Sequence, residues 1–496
     1  MQGTMDISSE SSTSFSKWRT RLWPIHRSEH RKFIPLLLIK FLVSFVYTIL
    51  HATKDTLIVT SKGSGAEAIP LLKGGVVIVF ACLAMLLYSK LSNLLSKKRL
   101  FYTFLTLFIF FFTIFGFVLY PLRELLSPTA SSDALVNWMG ADHQHWVAIY
   151  RWWFNSLFFV MAELWGGVVI LVLFWGFANQ VCSVGEASRF YTLFAIGSNA
   201  GVIAAGPLIW SASHWLNGGN YELTIKWMMS AVAVTGILIA LLYYWVNEKI
   251  VDVDQQKTVE KKKKKSTSLI KSLVELFSSS SLVYIAMMVI GYSLAVNMVE
   301  VIWKATLKLQ FPKSVDYQAF MGVVSFSTGC LALLLSLFVG GNLMRKFGWY
   351  AASLSTPLVL GLTSLFFFTL YYMGYNEGGF TPELLYVAVL VGAVHNICCK
   401  SMKYSLFDPT KEMAYIPLSE DEKVKGKAAV DMVASRFGKS GSSWIQAALI
   451  EIAGVGSVLN IGGFLAPCVI IAILFWVFAV RKMRGEFTPQ AELIAA

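Results

Sequence analysis

Apolar runs of about 20 residues recur along this chain from Phe33 to Val480, and a helix of that length crosses the roughly 30 Å hydrocarbon core of a bilayer. Inside hydrocarbon the backbone polar groups of a span must be satisfied within the span itself, so runs of this kind are helices. Composition agrees: 56% of the 496 residues are hydrophobic and 14% charged, against about 25% charged in an average soluble domain. The sequence excludes a soluble protein and specifies an all-α polytopic membrane protein.

Apolar windows place spans near 33–60, 68–88, 100–120, 147–176, 190–210 and 226–246, then near 281–303, 319–343, 349–373, 384–404, 432–453 and 457–480. That makes twelve transmembrane helices in two six-helix halves, 33–246 and 281–480. Residues 1–32 are polar, with six Lys/Arg and no apolar h-region, so they are expected to form a cytoplasmic tail, with the first span as its own insertion signal. Residues 247–280 hold eight lysines, including the run Lys261 to Lys265, and fit a solvated cytoplasmic linker. Residues 481–496 form the second tail.

The formal charge of +13 does not point to nucleic acid, because the basic residues alternate from side to side. Lys90, Lys97, Lys98 and Arg99 follow span 2, Arg345 and Lys346 follow span 8, and Arg481, Lys482 and Arg484 follow span 12. The links after spans 5 and 9 have neither Lys nor Arg, which by the positive-inside rule puts both termini in the cytoplasm. Trp146, Tyr150, Trp152 and Trp153 fit an interfacial belt at the outer mouth of span 4. Six cysteines lie in or beside apolar segments without zinc-ligand spacing, so neither disulfides nor a metal site is indicated. No cofactor is expected.

Six plus six spans with a long link is the layout of MFS-like transporters, whose halves rock about a central site. Spans 1, 4, 7 and 10 would then line the cavity. A charge deep in a bilayer costs about 2.5–3.5 kcal/mol on insertion scales and is a functional candidate by default. In span 4, Glu163 lies thirteen residues past Tyr150, roughly 20 Å along a helix, near the midplane; the alternative is a neutral structural glutamate. In span 1, His51-Ala52-Thr53-Lys54-Asp55-Thr56 interrupts the apolar run. Lys54 is a candidate cation for an anion, or else it pairs with acids and snorkels outward. Span 7 carries Glu300 and Lys304, whose i, i+4 order also suits a simple ion pair.

Asn199 sits among Gly197, Gly201 and Gly206 in span 5, a spacing for close helix packing, although its amide is also a candidate contact to a base. Gly438-Lys439-Ser440 resembles the end of a P-loop, but Val433 stands where a Walker A needs glycine. An ATP-hydrolysing pump is therefore unsupported, and Lys439 is a candidate phosphate contact beside a glycine-rich break. Tyr47, Trp165, Trp175 and Trp303 are candidates to stack on a base; each also fits helix packing. Cations and acids spread over both halves imply a small, multiply charged anion as substrate. No nucleophile or metal constellation supports an enzyme, so a nucleotide-using membrane enzyme is the remotest reading.

Specific strings go further. Thr53-Lys54-Asp55-Thr56-Leu57, Gly65-Ala66-Glu67-Ala68-Ile69-Pro70, Ala162-Glu163-Leu164-Trp165-Gly166, Val299-Glu300-Val301-Ile302-Trp303-Lys304, Tyr404-Ser405-Leu406-Phe407-Asp408-Pro409-Thr410 and Glu412-Met413-Ala414-Tyr415-Ile416-Pro417-Leu418 resemble the ATP/ADP translocases and nucleotide transporters of obligate intracellular bacteria and plastids. The resemblance covers nearly the whole chain beyond the N-terminal tail. It implies an MFS-like fold and nucleotide movement without hydrolysis, with Lys54, Glu163, Glu300 and Lys439 at the four charged positions associated with transport in that family. It also implies a monomer in the inner membrane of a bacterium living inside host cells.

One departure bears on mechanism. The exchangers of that family are expected to carry an Arg-Asp pair before Thr-Lys-Asp-Thr, and here His51-Ala52 stands instead. ATP/ADP exchange importing host ATP is the simplest expectation. Proton-coupled net import of nucleoside triphosphates such as GTP or UTP stands close behind, with His51, Glu163 and Glu300 as titratable candidates and Lys304 as a possible coupling partner.

Overall fold

The structure, a computed structural model, describes residues 25–216, 218–250, 279–376, 379–416, 418, 430, 434–453 and 456–495. The N-terminal tail up to residue 24 and the linker from 251 to 278 lie outside the described residues. Among those described, every regular element is helical. The first half contains α1 (His30–Thr60), α2 (Ala68–Leu94), α3 (Lys97–Leu119), α4 (Trp153–Val181), α5 (Val184–His214) and α6 (Tyr221–Lys249). The second contains α7 (Ser280–Gln310), α8 (Ser314–Leu334), α9 (Gly341–Asn376), α10 (Pro382–Met413), α11 (Ser435–Ala453) and α12 (Gly462–Ala495).

Local chemistry accounts for the helix ends. Ser183 and Glu186 close a capping box at the start of α5, satisfying two orphan N–H groups. The Asn220 side chain accepts from Glu222 N–H at the start of α6, and Thr381 with Pro382 opens α10. The helix assigned to α9 contains a break at Gly348, whose φ of 75° belongs to the left-handed region that glycine adopts without steric cost. Spans 8 and 9 therefore meet there rather than forming one rod.

The fourth span differs from the sequence expectation. Trp152 has φ −106° and ψ 46°, so the helix breaks there and α4 begins at Trp153, not at 147. Residues Gln144–Arg151 form a separate helix that belongs to the α3–α4 link with a further helix, Thr129–Met139. Trp146 is accordingly tied to the far half, its Nε1 donating to Glu451 Oε1 at 2.6 Å, in addition to any belt role.

The first half is tied together internally near the start of α1. Lys32 pairs with Glu186 at 2.7 Å, and Arg189 donates to Glu29. Between halves, α5 packs on α8 through small residues: a Cβ on Gly206 would meet the Gly322 carbonyl at 2.8 Å, and one on Gly322 would meet Gly206 at 2.9 Å. Backbones in such contact have room only for glycine, the close-packing device of membrane helices.

The hydrogen bonds joining the halves gather at the end where α1 finishes. Thr60 and Ser314 hydroxyls lie 2.7 Å apart, Lys308 donates to the Ser64 carbonyl at 2.9 Å, and Glu67 accepts from Ser457 at 3.0 Å and from Val458 N–H at 3.1 Å. Trp444 of α11 donates to the Gly74 carbonyl at 2.8 Å. This end of the bundle is closed. His145, in the same closure beside Glu451, has its imidazole held below the ordinary histidine range, mainly by burial.

Candidate transport site

The polar patch of α1 does not interrupt the helix. Thr53, Thr56 and Thr60 return their hydroxyls to the carbonyls of Ile49, Ala52 and Thr56 at 2.8, 3.0 and 2.7 Å, so the patch satisfies itself within a continuous helix. Every residue from Ala52 to Val59 is buried. Lys54 cannot snorkel, being 0% exposed. Its Nζ lies 2.8 Å from Asp55 Oδ1 and 3.0 Å from Glu163 Oε1, and 4.1 Å from the centre of the Phe159 ring, a cation–π distance.

From there a row of alternating charges crosses the protein. Asp55 Oδ2 is 2.8 Å from Lys304 Nζ on α7, a close pair whose atoms are not aligned as a hydrogen bond. Lys304 lies 3.4 Å from Glu300 Oε1, and Lys400 of α10 lies 3.2 Å from the same oxygen. Lys73 of α2 reaches across the halves to within 3.9 Å of Glu300 Oε2 and donates to Asn297 Oδ1 at 3.3 Å. The row therefore runs Glu163, Lys54, Asp55, Lys304, Glu300, Lys400, over α4, α1, α7 and α10, with Lys73 as a branch. Those four helices are the ones the MFS-like layout assigns to the cavity.

Access grades along the row. The side chains of Lys54, Asp55 and Lys304 are 1% exposed or less, whereas Lys73 is 18%, Glu163 25% and Lys400 30% exposed. Lys439, at the start of α11, is exposed and makes no ion pair among the described residues, yet it is close enough to Glu163 to act on it electrostatically. In their ordinary ionised forms five lysines (54, 73, 304, 400, 439) face three acids (55, 163, 300), five less three, a surplus of two positive charges.

His51 stands one turn before Asp55, with Nδ1 3.5 Å from Asp55 Oδ2. Tyr47 stands one turn further, its ring 5.4 Å from that of His51. Trp165, a candidate for stacking on a base, is instead fully buried. Its Nε1 donates to the Val43 carbonyl at 3.2 Å and its ring meets Phe108 edge-on at 5.6 Å, so it locks α4 to α1. Trp303 does the same in the second half, donating to Val389 at 3.0 Å. Asn199 is buried at the α5–α8 crossing, away from the charged row, where its carbonyl faces Gly329.

Sequence reasoning missed Lys73 and Lys400 and gave Asp55 no role of its own. Both lysines fall inside the apolar windows 68–88 and 384–404, so the rule that singled out Glu163 applies to them equally. Lys73 is carried by a π-helical turn, Leu72–Val76, and Lys400 lies three residues before another, Lys403–Phe407. A third, Trp165–Phe174, follows Glu163. Such turns tend to occur at functional sites in helices.

The family described as TLC ATP/ADP transporter matches residues 8–487. The chain is 42% identical over 486 residues to "ADP,ATP carrier protein 1" of Chlamydia trachomatis, covering 95% of this chain and 92% of that one. It is 45% identical over 469 residues to "ADP,ATP carrier protein 1, chloroplastic" of Arabidopsis thaliana, covering 92% and 74%. It is 33% identical over 489 residues to the carrier protein of the same name in Rickettsia prowazekii, covering 97% and 98%. Among solved structures, a bacterial homologue of the iron transporter ferroportin superposes with a TM-score of 0.58 at 13% identity, over 92% of this chain and 98% of that one. A D-xylose-proton symporter superposes with a TM-score of 0.54 at 13% identity, over 91% and 96%. These two establish the transporter fold alone.

Proposed function

Since the chain belongs to the TLC ATP/ADP transporter family, we propose that it is a multi-pass membrane carrier exchanging ATP for ADP by alternating access of its two halves. It is a transporter and not an enzyme. The observation that carries the reading is the row of charges joining α1, α4, α7 and α10 with two positive charges in excess. A polyphosphate supplies the missing negative charge, and because the row spans both halves, its binding bears on both at once.

Exchange also fits the energetics. Moving ATP inward for ADP outward carries one net negative charge, opposed by about 2.3 kcal/mol per 100 mV. A tenfold concentration ratio contributes about 1.4 kcal/mol, so an ATP-rich outer compartment drives import without a coupling ion. Proton-coupled net import, kept open by His51-Ala52, gains no support over exchange from the family or its named relatives. In the proposed roles Lys439 meets a substrate phosphate, Lys54 and Lys304 hold the row together, Glu163 and Glu300 switch partners as the halves move, and Tyr47 with His51 flanks the base. We further propose a monomer in a cell inner membrane, both termini cytoplasmic.

The test is uptake of labelled ATP by proteoliposomes. Exchange requires uptake to depend on internal ADP or ATP and to ignore an imposed pH gradient. Uptake into nucleotide-free vesicles that follows the pH gradient would replace exchange by proton-coupled import.

A further inference from the structure

Among the described residues Glu300 is the most crowded acid: one carboxylate faces three ammonium groups, Lys400 at 3.2 Å, Lys304 at 3.4 Å and Lys73 at 3.9 Å. Lys304 has a second partner in Asp55 at 2.8 Å, so it is neutralised without Glu300. Lys73 and Lys400 have no other carboxylate among the described residues. They are also the solvent-reachable members of the trio, 18% and 30% exposed where Lys304 is 1%, and they come from opposite halves. A single negative charge thus occupies a pocket built for more than one. Holding one carboxylate among several buried cations is favourable only while no better anion is present.

We propose that Lys73 and Lys400 form an anion subsite for the polyphosphate of the substrate, and that Glu300 is a tethered anion occupying this subsite between substrates. The inference rests on the nucleotide-carrier reading and deepens it by assigning cations that neither the motif positions nor the fold assigns. The phosphate chain, with three or four charges against one, displaces Glu300 from Lys73 and Lys400. Glu300 keeps Lys304, four residues away on the same helix. The phosphate then bridges α2 of the first half to α10 of the second more strongly than Glu300 does, whose contact to Lys73 is a long one. Substrate release returns Glu300 to the subsite. The acid is in this way a competitor of the nucleotide and not a ligand for it, although removing it still damages transport, because the emptied subsite has nothing to release the phosphate to.

The experiment uses the purified full chain, with inorganic triphosphate as a base-free probe beside ATP and ADP, and reads equilibrium binding together with exchange in proteoliposomes. Lys73→Met and Lys400→Met should each weaken triphosphate binding about tenfold or more, while Lys262→Ala in the linker leaves it unchanged. Glu300→Gln should bind ATP several-fold more tightly yet exchange it more slowly. Unchanged triphosphate affinity in both lysine variants, or weaker ATP binding in folded Glu300→Gln, overturns the proposal. A second measurement needs no variant: in the unaltered protein, saturating triphosphate should protect Lys73 and Lys400 from an amine-reactive reagent and expose Glu300 to a carbodiimide, and no change at any of the three also overturns it. If the unaltered protein exchanges ATP for ADP while these tests fail, the inference alone falls. If triphosphate binds as described but no exchange occurs, the carrier reading falls and the subsite stands.

Discussion

The two halves solve the same problem with opposite signs. In the first, α1 offers the cation Lys54 and α4 supplies the acid Glu163 that caps it at 3.0 Å. In the second, α7 offers the acid Glu300 and α10 supplies the cation Lys400 at 3.2 Å. The aromatic locks behind them are alike, Trp165 bonded to the Val43 carbonyl and Trp303 to that of Val389, so the framework is repeated while the charges are inverted. Counting by half, Lys54 and Lys73 balance Asp55 and Glu163, whereas Lys304, Lys400 and Lys439 exceed Glu300 by two. The surplus positive charge lies wholly in the second half. In the proposed reading a phosphate chain is drawn mainly toward α7, α10 and α11, where Lys73 of α2 also reaches, and the Tyr47 and His51 side of α1 is left for the base.

The seam of this arrangement is Asp55, fully buried between Lys54 and Lys304. Asp55→Asn keeps its size and removes its charge, leaving two buried ammonium groups short of a partner. Breaking a buried pair in this way costs about 3–5 kcal/mol, so the thermal midpoint in detergent should fall steeply. Adding Lys304→Met to Asp55→Asn removes one orphaned cation and should recover a good part of the loss. A double variant no more stable than Asp55→Asn would mean that the two halves are not joined electrostatically at this point.

Much of this was legible in the sequence. The all-helical, polytopic class follows from apolar length, and the MFS-like layout directs attention to spans 1, 4, 7 and 10, where the buried charges do lie. Lys54, Glu163 and Glu300 were also legible as charges within spans, and so was the i, i+4 pair of Glu300 with Lys304, but the long-range partners were not: Glu163 and Lys54 are 109 positions apart and Lys73 and Glu300 are 227 apart in the chain, and no local period encodes contacts at that separation. Trp165 stayed open between stacking and packing because an aromatic beside a buried acid looks the same on paper whether it faces a ligand or a neighbouring helix, and the structure shows packing. The break at Trp152 escaped for a related reason, since apolar and aromatic residues continue through it and only the backbone angles reveal it.

Lys439 sharpens the contrast between halves with a smaller effect. It belongs to the positive surplus, is exposed, and makes no ion pair among the described residues. Lys439→Ala should weaken nucleotide binding about fivefold, the scale of an exposed charge contact, without lowering thermal stability. The loss should shrink as ionic strength rises, because salt screens exposed charges first. Equal effects of Lys439→Ala on stability and affinity would place it in the framework rather than at the substrate.

The smallest effect is expected at His51, where this chain departs from the arginine anticipated for exchangers. The imidazole stands 3.5 Å from Asp55 Oδ2, the oxygen that Lys304 also approaches, so an arginine here adds a cation at a carboxylate already shared by two lysines. His51→Arg raises the first half from balance to one positive charge and halves the difference between the halves. Ala52 is buried, so placing an aspartate there as well would test packing along with charge, and the single substitution isolates the charge. Because the guanidinium forms a planar fork suited to phosphate and lies on the side of α1 left for the base, it should change which end of the nucleotide is gripped more than how tightly. Total nucleotide affinity should move by less than about threefold, under 0.7 kcal/mol, while the ratio of ATP to ADP uptake shifts measurably. Competition of unlabelled nucleotides against labelled ATP in proteoliposomes reads that ratio directly. An unchanged ratio with altered affinity would mean that charge on α1 reaches the phosphates after all, and that α1 shares the anion with Lys73 and the second half.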